Sequence, residues 1–192
     1  MSDPGRIVRG MRVIRIPRQD RGEASAVHGS DFQGQRLVRA DFSGRRLEGA
    51  RFDGANLRQA ALVGTVLTRA SFDGARIVRA DLTGARLRGA TFAHADLSGA
   101  IMAGADMSGA DLTGANLFGA DLRCADLTDA CLVRVTLDAA TLRGAILCGA
   151  DLGSARLASA DLRDVDADED TTWPSGVPWP RRADPLRMSL RH

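Results

Sequence analysis

Three cysteines (Cys124, Cys131 and Cys148), three histidines (His28, His94 and His192) and many aspartates are the residues able to hold a metal, attack an electrophile or move a proton. Their spacing favours none of these chemistries. There is no Cys-x-x-Cys pair, and no His stands in a catalytic pattern with a carboxylate or nucleophile. The glycines recur at fives without a following helix, unlike a phosphate-cradling loop. The Asp fill a recurring slot that a turn-forming role explains. The chain is therefore not expected to be an enzyme, and it calls for no metal or other cofactor. An odd number of thiols with no signal peptide fits a reducing, cytoplasmic setting.

The elements that would carry these residues are set by a repeat. From Phe32 to Leu162 every position ending in 2 or 7 is a large apolar residue, 19 Leu, 5 Phe, 2 Met and 1 Ile in 27 positions. Two residues earlier, 22 of 27 positions are Ala, the exceptions being Ser30, Gln35, Arg45, Thr65 and Val135. Two residues later, 15 of 27 are Gly, and Asp or Asn precedes the large residue 12 times. The unit reads Ala-(Asp/Asn)-Leu-x-Gly, as in Ala110-Asp111-Leu112-Thr113-Gly114. On an α-helix a step of five rotates a side chain by a net of about 140°, so the Leu series would circle the axis. On a flat strand an odd step alternates the faces. One arrangement puts every Leu inside: the chain turns a corner in each unit, at Asp/Asn and Gly.

The number of sides also follows. Phe occupies positions 32, 52, 72 and 92, with Phe42 the one other in the series. Twenty residues are four units, so a four-sided coil stacks these rings on one inner face, about 4.8 Å apart. Counting the looser unit at residues 25–29 gives about seven coils over residues 25–164. Gln35 and Arg45 replace inward Ala near the start, which is tolerable where the first coil is partly open.

Tandem units of this kind resemble those of pentapeptide-repeat proteins, over about 140 of the 192 residues. The resemblance implies an all-β fold, a right-handed quadrilateral β-helix. Three regions are expected: an Arg-rich arm at 1–24, the β-helix at 25–164, and a C-terminal cap and loose tail at 165–192. Asp168–Gly176 also looks like the acidic, Trp-Pro-containing stretch that follows such repeats. Trp173 and Trp179 are the candidate lid over the last coil, or a dimer seam.

Composition bounds the partners. The 26 basic residues, all Arg, nearly balance 24 acids, and no apolar run approaches the roughly 18 residues of a membrane span. Along the chain the balance is uneven. Residues 30–94 carry a net +5 and residues 95–164 a net −5, which Asp166, Asp168, Glu169 and Asp170 bring to −9. Arg36, Arg39, Arg58, Arg76 and Arg79 fall on one outer face, shared with Val38, Val78 and, farther along, Phe118. These six residues, the five Arg and Phe118, are the candidate partner surface.

The expected function is a rigid scaffold that recognises a protein partner without chemistry. The family resemblance supplies the alternative, a DNA-mimicking protector of DNA gyrase against quinolones or natural topoisomerase poisons. Direct nucleic-acid binding is not expected, because stacking aromatics and global basic charge are both lacking. A homodimer through the C-terminal end is expected ahead of a monomer, and a head-to-tail contact last, since it does not close.

Overall fold

The computed structural model describes residues 30–177. The arm at 1–24, the unit at 25–29 and the tail that includes Trp179 lie outside them.

Each unit places one residue in a parallel bridge, the next inside, and the following two in a turn. Bridges join residues twenty apart, from Asp31↔Arg51 through Ile146↔Asp166. The coil is therefore four-sided. Hydrogen bonding explains why the pattern repeats without strands of ordinary length. In residues 111–115, the N–H of Asp111 donates to the Ala90 carbonyl (3.0 Å) in the coil before. Those of Leu112 and Gly114 donate to Cys131 (2.8 Å) and Val133 (2.9 Å) in the coil after, and that of Ala115 closes the turn onto Leu112 (2.9 Å). The remaining donor, Thr113 N–H, goes to the Asp111 carboxylate at 2.9 Å. All five backbone donors are satisfied, as a stack of corners with no long strand requires.

The turn explains the glycines. Between Gly34 and Asp164 every position ending in 4 or 9 has a left-handed backbone except Ser154, and eleven of these residues are not Gly. The corner thus imposes a conformation that favours Gly by about 1 kcal/mol or more, yet the rest of the stack is firm enough to hold Arg39 or His94 in it.

Inside, Phe32, Phe52, Phe72 and Phe92 stack as expected, with centroids 4.7, 4.8 and 4.8 Å apart. Phe42 meets Phe32 and Phe52 edge-on from the opposite wall, at 5.5 and 5.6 Å. The Ala series is buried between these large residues. Thr65, in an Ala slot, is fully buried and donates its hydroxyl to the Phe42 carbonyl at 3.0 Å. Gln35, Ala40 and Arg45 are half-buried, so the first coil is open to water where its interior turns polar. Gln35 Nε2 donates back to the Asp31 carbonyl at 3.1 Å.

The ladder runs past residue 164, to Asp166 and then to Asp151↔Thr172, where the offset is 21 instead of 20. The sequence pattern stops earlier because its slots are exchanged. Val165 fills the small position and Ala167 the large one, both buried. The inserted residue is absorbed at Asp168, whose carboxylate takes the Gly149 N–H at 2.9 Å in place of a backbone carbonyl. The Thr171 hydroxyl reaches the Leu147 carbonyl at 2.9 Å. Trp173 then packs, half-buried, against the core.

Candidate partner-binding surface

The four sides are taken in chain order, beginning at 31–34, 36–39, 41–44 and 46–49, so the second face lies opposite the fourth. Three of every five residues look outward, and all potential chemistry is among them. The three cysteines occupy the third (Cys124), first (Cys131) and fourth (Cys148) faces, and none is in a disulfide. Burial, with Asp166 and Asp168 nearby, pushes the Cys148 thiol up, which keeps it protonated and a poor nucleophile. Among the described residues no group of three or more His, Cys, Asp or Glu is placed to hold a metal ion.

Most of the acids are occupied structurally. All twelve Asp and Asn that precede a large residue accept the N–H two residues on, as Asp81 does from Thr83 at 3.0 Å and Asp126 from Thr128 at 2.9 Å. Arg163 grips Asp161 through Nε and an Nη, at 2.8 and 2.6 Å, and lowers its carboxyl to about 2. Sequence reasoning missed a second form of the same device. Where the unit lacks that Asp, a carboxylate from the coil before takes the donor: Asp73 holds Ala93 N–H (2.9 Å) and Asp138 holds Ala158 N–H (2.8 Å). Its signal was available in the residues, an Asp just after the large residue, twenty positions ahead of an N–H whose own unit has none.

On the second face, Arg36, Arg39, Arg58, Arg76 and Arg79 are all exposed, in three successive rows. Arg39 Nε donates to Gln59 Oε1 at 2.9 Å. No ion pair among the described residues involves any of the five, although six other Arg are paired. Val38 and Val78 are half-buried between them. Phe118 is 55% exposed, two rows beyond Arg79 on the same side. Trp173 is turned to the core, and Trp179 lies outside the described residues.

The profile described as Pentapeptide repeats matches in eight copies over residues 28–60, 50–89, 80–119, 104–138 and 137–169. The chain belongs to the pentapeptide-repeat family. Its right-handed β-helix is the family's fold. Among solved structures, this pentapeptide-repeat chain is similar to HetL of the cyanobacterium Nostoc sp. strain PCC 7120, a protein involved in heterocyst differentiation regulation. The identity is 27%, over 76% of this chain and 86% of that one, with a TM-score of 0.33. It is also similar to Rfr23 of the cyanobacterium Cyanothece 51142 (25% identity, 76% and 89% covered, TM-score 0.36). A third is QnrB1, a plasmid-mediated fluoroquinolone resistance protein (20% identity, 77% and 86% covered, TM-score 0.45). No curated protein matches.

A bulk count of charge along the chain left one feature of the pentapeptide-repeat surface unseen. The fourth face is divided within itself. Arg46, Arg69, Arg86 and Arg88 outnumber Glu48 in its first half, and Asp106, Asp126, Asp129, Asp166, Asp168 and Glu169 lie in its second. A groove on the first half is lined by Glu48, Thr68, Arg69, Arg88 and Ser108.

Proposed function

We propose that this pentapeptide-repeat protein is a non-enzymatic β-helical scaffold whose second face recognises an acidic surface of a protein partner. What carries the reading is the clustering of five exposed Arg in three successive rows of one face, none of them in an ion pair among the described residues. Guanidinium groups outside ion pairs on a rigid wall keep donors for contact with carboxylates. Val38 and Val78 give the same wall an apolar component, and Phe118 offers an aromatic anchor of the kind that dominates protein interfaces. The setting is cytoplasmic in this reading, and the scaffold acts by contact alone.

The test is capture of partner proteins by the wild type and by the variant R36E/R58E/R76E, compared with a control reversed at Asp31 on the first face. Loss of the captured protein with the second-face variant alone is expected. Equal capture by all three sinks the assignment of this face.

Gyrase protection by mimicry of DNA is the second reading. It calls for an acidic wall, and the second half of the fourth face offers Asp106, Asp126, Asp129, Asp166 and Asp168, interrupted at the row of Ile146. A gyrase supercoiling assay with a quinolone separates the two: rescue of supercoiling by this protein supports mimicry, and no rescue at equimolar protein removes it.

A further inference from the structure

We propose that two copies of this chain associate antiparallel, fourth face to fourth face, about a two-fold axis that crosses the row of Asp106. The inference goes beyond partner recognition by the second face and does not rest on it.

The fourth face has seven bridged rows, at Arg46, Val66, Arg86, Asp106, Asp126, Ile146 and Asp166. A two-fold axis lying in the interface, perpendicular to the rod, reverses the order of rows and leaves each column facing itself. Full overlap of seven rows fixes that axis on the fourth. Arg46 of one copy then faces Asp166 of the other, Val66 faces Ile146, and Arg86 faces Asp126. Each pairing occurs twice. Arg46, Arg86, Ile146 and Asp166 are exposed and Val66 and Asp126 half-buried, so the column is available for contact. Ile146 is one of four large apolar side chains left exposed among the described residues, and Val66 is the residue that would cover it.

The same operation on the other faces gives fewer opposite-charge pairings, and this favours the fourth. The first face has an eighth bridged row at Thr172, so full overlap there sets Arg51 against Asp151 and Asp31 against Thr172, one kind of opposite-charge pairing against two on the fourth. The second brings Arg36 onto Arg156. On the third, Asp41 meets Asp161 and Asp81 meets Asp121. Like charges placed directly opposite disfavour the second and third faces, and the fourth carries two kinds of opposite-charge pairing where the first carries one. The fourth face also has like-charge contacts, Asp106 with its own copy and Glu48 with Asp168. Asp106 is held by the N–H and hydroxyl of Ser108, at 3.1 and 2.7 Å, and Glu48 by Arg46 at 3.0 Å, which lessens both. The contact is isologous and closes on itself, which a head-to-tail arrangement does not. One narrow wall buries less than a standard interface of about 1,600 Å², so the dimer is weak and depends on its charges.

Sedimentation equilibrium of the full chain tests this at low and high salt, with melting curves to establish that each variant folds. The wild type should dimerise at low salt and dissociate as salt shortens the Debye length from about 30 Å to about 3 Å. R46D and D166R should each weaken the dimer about tenfold or more, since either change opposes two like charges twice, and R46D/D166R should restore it. Reversal of Asp31 on the first face should leave it unchanged. A monomer at low salt and about 100 μM overturns the proposal. So does a dimer indifferent to R46D, a double variant that stays weak, or a dimer that holds or tightens in high salt, as an apolar C-terminal seam would.

Discussion

A Cβ added to Gly114 would lie 2.7 Å from Nδ1 of His94, because the imidazole of one coil rests on the glycine corner of the next. At Gly104 the same addition meets nothing within 4 Å, and both glycines have a left-handed backbone, φ +66° and +64°. Gly104→Ala should therefore cost the backbone preference alone, about 1–2 kcal/mol, and Gly114→Ala more. Melting curves of G104A, G114A and H94A/G114A check this. The double variant should return to the Gly104→Ala level once the ring is gone.

The interior permits little expansion. Ala115 is buried between stacked large residues, and Ala115→Leu should lose about 3 kcal/mol or more, as overpacking does where neighbours cannot retreat. Thr113→Ala removes a 3.2 Å contact between Oγ1 and Cys131 Sγ and leaves the backbone cap of Asp111 in place. It should be nearly silent. Equal melting temperatures for the two variants would contradict the inward assignment of Ala115.

Asp161 gives a pH signature. Its carboxyl is held at about 2, first by the Arg163 side chain and then by the Arg163 N–H. The folded value lies below the ordinary 3.8, so whatever Asp161 contributes to stability is present in full above about pH 4 and is lost as pH falls through about 2. Carboxyl titration by NMR should give a midpoint near 2 for Asp161. In Arg163→Ala it should move toward the ordinary value. A midpoint that does not respond to the variant would show that the pair does not form in solution.

At the far end the Thr171 hydroxyl lies against the Leu147 carbonyl, while the Thr171 N–H donates to the Asp168 carboxylate at 3.1 Å. Thr171→Val keeps the shape and removes the hydroxyl. Amide exchange should then accelerate at Gly149 and Leu152 and stay slow at Leu112 and Leu117, because opening at an end is local in a stacked solenoid. Uniform acceleration along the rod would count against this.

The coil was legible from Phe32, Phe52, Phe72 and Phe92, because one inner wall records each full turn as a repeated residue type. The roles of Asp111 and its equivalents were legible too, since a carboxylate two residues ahead of a donor is a local device. The last coil was not. Val165 and Ala167 exchange sizes, so the pattern of large and small residues ends before the geometry does. The divided fourth face was hidden for another reason: Arg46 and Asp166 are 120 residues apart, and their relation exists only once the bridges place them in one column.

Twenty is the interval that returns the chain to the same wall, while five suffices to satisfy the interior. Excising five residues would leave nearly every inward contact intact and rotate all later walls by a quarter turn. Excising twenty would shorten the rod and keep each wall in register. Arg46 and Asp126 would then leave their common column in the first case and draw one coil closer in the second. Length and surface pattern are thus separately adjustable variables in this molecule, and the smallest change of length that keeps every column of its surface in register is one of twenty residues, or sixty nucleotides.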